Sequence, residues 1–442
     1  MPQEKIHFSD ADFGRELTYF NRSRREFIKL SALAVAGLAL PETLRADSKA
    51  GDLSQAIGVD RGIALALNDS GVKTVTHVPA TGATAVFDAF AELIQKKPLY
   101  SFNEETAYTI AHGAALAGAR SAAVIKSHGL AKAANSVIDS VTLGTTAGFV
   151  VIAFDDPAGT HSDNIFSLED FLRGTGIPFK KAGKDTVYDD IQECFLWSEK
   201  LTIPVVLMVD SRLITQKTTP ARKTLRPAEV QYRRDTFRHV LCPPLAPYQR
   251  RVLEAKLGGQ DWKNIAPPAL PAIPRELPAA WREAALRYVP VFEEFQELRP
   301  QIPFVSGDTG LSSLFAFAPF ACVDVCSYYG GSLPLAIGAL TGGLQCSWAV
   351  TGDYAFLAAG HMALPEALVR RAPLKVLIMD NGRAAATGGQ PVPEGVLDRV
   401  LSGWQTFISR IDRPDDRSTV RSVLNRALVS DRLEIVHVKI HG

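Results

Sequence analysis

Two residues that could work together stand 28 positions apart, each at the end of an apolar run. Asp353 closes WAVTGD (348–353), and Asn381 follows VLIMD (376–380). A carboxylate, an amide oxygen and a nearby main-chain carbonyl are hard oxygen ligands. Such a set suits Mg2+, which keeps part of its water shell and is completed by phosphate oxygens. Gly330-Gly331-Ser332 precede a helical pattern at 333–341 and are expected to offer free backbone N–H groups at a helix N-terminus, a ready phosphate site. One metal and two phosphates fit a diphosphate. Taken singly, Gly352-Asp353 and Asp380-Asn381-Gly382 read as ordinary turns. Their pairing and the upstream Gly-Gly-Ser give them meaning.

For these residues to meet, the runs before them must be neighbouring strands of one sheet, with ligands beyond the C-terminal strand ends. The pattern supports this, with one helix expected at 358–370 between the two runs. Earlier in the chain, 122–126, 148–154 and 203–209 are continuous apolar runs bounded by turn residues, as in strands buried on both faces of a parallel sheet. Helical spacing recurs at 55–68 and 104–117. The fold class is therefore α/β: two doubly wound parallel-sheet domains, 50–215 and 291–442, joined by a Pro-rich linker at 216–290. That linker is expected to wrap on the surface, with short helices near 248–257 and 279–287.

Composition narrows the function classes. A net charge of +1 over 442 residues gives no reason to expect a nucleic-acid partner. Five cysteines (194, 242, 322, 326, 346) form no CxxC pair, which argues against zinc and iron–sulfur sites. They read mostly as small buried apolar groups, with one disulfide open to them if the protein is exported. No GxxxxGK[ST] is present, and no GxGxxG follows a strand.

Near the N-terminus, Arg24-Arg25, Phe27 and Lys29 precede the apolar run at 30–40 and Pro41. Eleven apolar residues are too few to span about 30 Å of hydrocarbon. Residues 1–46 are expected to be a twin-arginine export signal, read by the export machinery and sending the folded protein to the periplasm. The alternative is a cytoplasmic protein.

The motifs together resemble those of thiamin-diphosphate enzymes. Gly352-Asp353 and Asn381 match the magnesium–diphosphate motif. The loop from Asp380-Asn381-Gly382 through Thr387-Gly388-Gly389-Gln390-Pro391 is similar to that of the indolepyruvate ferredoxin oxidoreductase α subunit, as is Ser306-Gly307-Asp308-Thr309-Gly310. In the first half, Asn103-Glu104-Glu105, IKSHGLAKAAN (125–135), Asp155-Asp156-Pro157 and His161-Ser162 resemble its pyrimidine-binding domain. The two-domain layout is nearer that of phosphonopyruvate and sulfopyruvate decarboxylases, and no CxxCxxC run supplies an electron wire.

The resemblance implies thiamin diphosphate and Mg2+ as cofactors and a 2-oxo acid as substrate. Asp353, Asn381 and the main-chain carbonyl of Arg383 are the implied metal ligands. Gly330, Gly331, Ser332, Gly352 and Thr387 are the implied cofactor contacts, and Leu333 the apolar wedge that bends the cofactor. Glu104 is implied to hydrogen-bond the aminopyrimidine ring and promote loss of the thiazolium C2 proton. His128 and His161 are candidates to meet substrate or shuttle protons, and His437 is assigned no catalytic role. The cofactor is held between two subunits in this family, so a homodimer is implied. The expected reaction is decarboxylation. The alternatives are oxidation with a separate redox subunit, and cofactor binding without catalysis.

Overall fold

The computed structural model describes residues 55–97, 99–270 and 279–440, so the expected signal segment lies outside the described residues. The apolar runs do form strands. Five make one parallel sheet: β1 (Thr74–His77), β2 (Ser121–Lys126), β3 (Phe149–Asp155), β4 (Phe179–Lys181) and β5 (Val205–Asp210), in the order β1-β2-β3-β5-β4. Six make a second: β6 (Val305–Asp308), β7 (Val325–Ser327), β8 (Trp348–Gly352), β9 (Lys375–Asp380), β10 (Ile408–Ile411) and β11 (Glu434–Lys439), in the order β10-β11-β9-β8-β6-β7. Both sheets are parallel throughout.

Successive side chains of a strand face opposite sides, and both sides are filled. In β3, Val150, Ile152 and Phe154 enter one core while Phe149, Val151 and Ala153 enter another. In β9, Leu377 and Met379 alternate in the same way with Val376 and Ile378. Each fully buried side chain of this size contributes about 1.5–3 kcal/mol. Neither β4 nor β10 is anticipated by the apolar pattern. Both are edge strands, half exposed, and carry the charged residues that edges tolerate.

Six helices position the strand ends and the residues around them: α1 (Glu104–Leu116), α2 (Ser127–Lys132), α3 (Ala279–Leu298), α4 (Ser332–Thr341), α5 (Asp353–Ala358) and α6 (Val396–Leu401). The helix expected at 358–370 is instead broken into α5, a 3-10 turn and a helix at Ala363–Val369. The two sheets sit in one compact unit because α1 crosses α4 backbone to backbone. A Cβ on Gly113 would lie 2.2 Å from the Leu335 carbonyl oxygen, and one on Gly338 2.1 Å from that of Ile110. Only glycine permits this approach.

The segment 216–290 runs largely over the surface, with the expected helix at Ala246–Leu257, but it is anchored more deeply than a linker need be. Val240, Leu245 and Tyr288 are fully buried, and Arg222 pairs with buried Asp69 at 2.6 Å. Its prolines space apolar anchors that reach into the second core, and α3 runs through Pro290 to Leu298. All five cysteines are free, and three are buried. No helix among the described residues is long and apolar enough to cross a membrane.

Candidate active site

Strands β8 and β9 are neighbours, with Gly352 opposite Met379, so the two polar residues beyond them arrive at one place. Asp353 opens α5. Its carboxylate accepts N–H bonds from Tyr354 (2.7 Å), Asn381 (3.1 Å) and Gly382 (2.6 Å). The expected junction of the two strand ends is therefore made by direct hydrogen bonds. Asp353 and Asn381 line one cleft with Thr309, Gly310, Tyr329 and Arg383. The Asn381 amide oxygen is turned along the loop and accepts from the Arg383 N–H at 3.1 Å.

The electrostatics of this cleft are unusual. Burial, reinforced by the neighbouring Asp380 carboxylate, pushes Asp353 up to about 7. Tyr288, on α3, is fully buried, and its hydroxyl has no hydrogen-bond partner among the described residues. Burial first, then the charges of Asp353 and Asp380, push that phenol well above its ordinary value. Two buried like charges and an orphan hydroxyl fit a cation. The donors are hard oxygens of the kind Mg2+ takes, and they are too few to complete a shell without phosphate or water.

Gly330-Gly331-Ser332 require a correction. Their N–H groups are not free: Gly331 donates to the Tyr328 carbonyl (3.0 Å), and Ser332 to Asp308 Oδ1 (2.8 Å). Asp308 is completely buried at the end of β6, and desolvation pushes it up to about 6. It occupies the helix N-terminus that was expected to cradle phosphate. Gly330 has φ +83° and packs so tightly that a Cβ would meet the Gly360 nitrogen at 2.5 Å. Leu333 is fully buried in a core with Ile110 and Phe356. Thr387 is exposed outside the cleft lining, its hydroxyl 3.3 Å from the Gln390 side chain.

At the first sheet, Asn103 caps α1 by accepting the Thr106 N–H, which sets Glu104 in the first helical turn. Glu104 is half-buried and pairs with Lys132 at 2.9 Å. His128 Nε2 lies 2.7 Å from the Asn164 amide oxygen, and its ring stands edge-on to Phe166. His161 is exposed and enters the local network through its backbone: its N–H donates to Asp156 at 2.7 Å, and its carbonyl accepts from Lys126 at 2.5 Å. Glu104, His128 and His161 are thus on one sheet edge, and none of them lines the Asp353 cleft.

Five residues gain importance that the candidate set lacked: Thr309 and Tyr329 in the cleft wall, and Asp308, Asp380 and Tyr288 around it. Thr309 and Asp308 belonged to a motif already noted. Asp380 is the residue before Asn381. Tyr288 gave no signal, because only the packing of α3 brings it under the strand ends.

Residues 308–405 match the family described as thiamine pyrophosphate enzyme, C-terminal TPP binding domain. Over 217 residues the chain is 25% identical to the indolepyruvate oxidoreductase subunit IorA of Methanothermobacter marburgensis, a stretch covering 48% of this chain and 35% of that protein. The same subunit of Methanothermobacter thermautotrophicus is 27% identical over 195 residues, covering 43% and 32%. The matched stretch thus spans about a third of the length of these curated relatives. Among solved structures, the thiamine diphosphate-dependent 4-hydroxybenzoylformate decarboxylase of Rhodococcus jostii RHA1 superposes with a TM-score of 0.59 at 14% identity, covering 87% of this chain and 99% of that one. At that identity the likeness is one of fold. Together these findings match 308–405 to a thiamine pyrophosphate-binding domain family and show that part of the chain is similar to IorA.

Proposed function

We propose that the chain decarboxylates a 2-oxo acid with thiamin diphosphate and Mg2+. The observation that carries this reading is the junction of β8 and β9, where Asp353 and Asn381 share one cleft and Asp353 is buried beside a second carboxylate. Asp353, the Asn381 amide oxygen and the Arg383 carbonyl would hold the metal, with Thr309 facing the same cleft. The cofactor, once bound, supplies an acidic thiazolium C2–H and an electron sink for decarboxylation.

Glu104 holds the proton-transfer role through the aminopyrimidine. An acid in the first turn of α1 is favoured by the helix dipole, and its partly exposed ion pair with Lys132 is weak enough to exchange for a ligand. Glu104 lies outside the Asp353 cleft of its own chain, which supports a site completed by a second copy. His128, half-buried beside Phe166, is the better of the two histidines to face substrate. Folding around the cofactor before export through the Arg24-Arg25 signal belongs to the same proposal.

A second reading, favoured by the IorA relatives, is a 2-oxo acid oxidoreductase that hands electrons to a separate redox subunit. Measuring CO2 release from a panel of 2-oxo acids, with and without an artificial electron acceptor, separates the two. Release without acceptor supports decarboxylation, and strict dependence on acceptor overturns it. Cofactor binding without turnover of any substrate would leave a non-catalytic binding protein.

A further inference from the structure

His437 interrupts the apolar run EIVHVKI in β11 and is only 2% exposed. A histidine is retained in such a place only if both ring nitrogens are satisfied. Nε2 lies 2.7 Å from Asp380 Oδ2, and Nδ1 lies 3.1 Å from Arg410 Nη1 on β10. A guanidinium has donors and no acceptor. Nδ1 must therefore accept, so the ring proton is on Nε2 and is donated to Asp380. Arg410 is itself held by Asp398 of α6 at 3.1 Å. The sheet order makes this one continuous row: Asp398 and Arg410 at β10, His437 on β11, Asp380 on β9, and Asp353 just beyond β8.

We propose that His437 is a positioning residue for the cation site, acting through Asp380; the proposal rests on the metal-binding reading above. Asp380 is buried beside Asp353 and immediately precedes Asn381. Rotating its carboxylate would move charge into the cleft and disturb the turn whose Asn381 and Gly382 N–H groups hold Asp353. The imidazole engages Oδ2 and so restrains the Asp380 carboxylate, whose charge acts on Asp353 from a fixed position. Arg410 contributes at one further remove, by fixing the tautomer. Outer partners of this kind commonly change metal affinity about 10- to 100-fold when removed.

The test uses the full chain with thiamin diphosphate and follows Mn2+ binding by electron paramagnetic resonance. His437→Leu, which deletes the donor, is expected to weaken Mn2+ about 10- to 100-fold, whereas His437→Gln, which keeps an N–H near Nε2, should stay within about 3-fold of the parent. Arg410→Met, on the edge strand, is expected to fall between them and serves if His437→Leu does not fold. Parent-like Mn2+ affinity in His437→Leu, or in Arg410→Met if that must stand in, would overturn the proposal. Equal weakening in His437→Leu and His437→Gln would do so too, since it would make His437 a packing residue. If the parent chain binds no Mn2+ with the cofactor present, the metal-binding reading itself fails, a distinguishable result.

Discussion

The C-terminal edges of the two sheets both carry acids and treat them differently. At the first sheet, most acids near the edge are matched by donors or cations in the chain, although burial and the charges of Asp210 and Asp156 raise Asp155 at the end of β3. Glu104 pairs with Lys132, Asp210 with Arg212, and Asp156 accepts from Thr160, His161 and Ser162. Those hydrogen bonds, led by the His161 N–H, hold Asp156 below its ordinary value. At the second sheet Asp353 faces Asp380, and burial raises both Asp353 and Asp308. The lesson is that an edge whose acids are mostly matched within the chain can present groups to a neighbour, while a cleft that buries two carboxylates side by side has the charge that suits a cation. Perturbed carboxylates in a cleft are a recognised mark of function.

This contrast can be broken experimentally. The largest effect expected is from Asp353→Ala, which should lower cofactor retention by more than about 100-fold, since it removes the central donor of the second edge; equilibrium dialysis with thiamin diphosphate and Mg2+ measures it. Retention close to the parent would mean that the buried acid is structural. Glu104→Ala probes the first edge. It should keep the cofactor yet slow exchange of the thiazolium C2 proton about 100-fold or more, read by NMR. Ordinary exchange there would remove Glu104 from the chemistry.

The joint between the edges comes next. Gly338→Val should cost about 3 kcal/mol in denaturant unfolding, because its side chain would meet the α1 backbone. A neutral result would show that α1 and α4 can part without penalty. The pH dependence sharpens the contrast further. Asp353, raised from 3.8 to about 7, binds more protons folded than unfolded, so its own contribution to the stability of the cofactor-free chain should fall as pH rises from about 4 to 7. Asp353→Asn should remove a slope worth on the order of 2–3 kcal/mol, visible in melting curves across that range. A difference between parent and Asp353→Asn that does not change with pH over this range would contradict the buried-charge description. The smallest effect is expected for His161→Ala, within about 2-fold in CO2 release, since His161 joins the loop through its backbone. Signal function can be checked by changing Arg24-Arg25 to Lys-Lys and tracking where the precursor accumulates.

Legibility followed burial and strand position. Central strands announced themselves as continuous apolar runs, and Asp353 and Asn381 came from their ends. Edge strands FKK and ISRI did not, because exposure lets them carry charge. The Gly330-Gly331-Ser332 expectation failed for a specific reason: Asp308, 22 residues before Gly330, reaches the helix N-terminus first, and no local pattern shows which anion will win it. The surface course of the Pro-rich segment was legible, but its anchors were not, since proline spacing reveals no direction for Val240, Leu245 or Tyr288. His437 looked like a terminal-strand histidine without a role until its neighbours on β9 and β10 were known.

By itself the sequence determined which residues stand at strand ends, because backbone pairing and apolar periodicity are local properties. It also carried the chemical types at those ends: a carboxylate, an amide, and a distant glutamate after a helix cap. The tertiary structure alone decided which charges are buried against one another. Desolvation and pairing depend on what packs across a sheet, as Tyr288, Asp380 and His437 do beneath Asp353, and that is set by contacts between segments that are far apart along the chain.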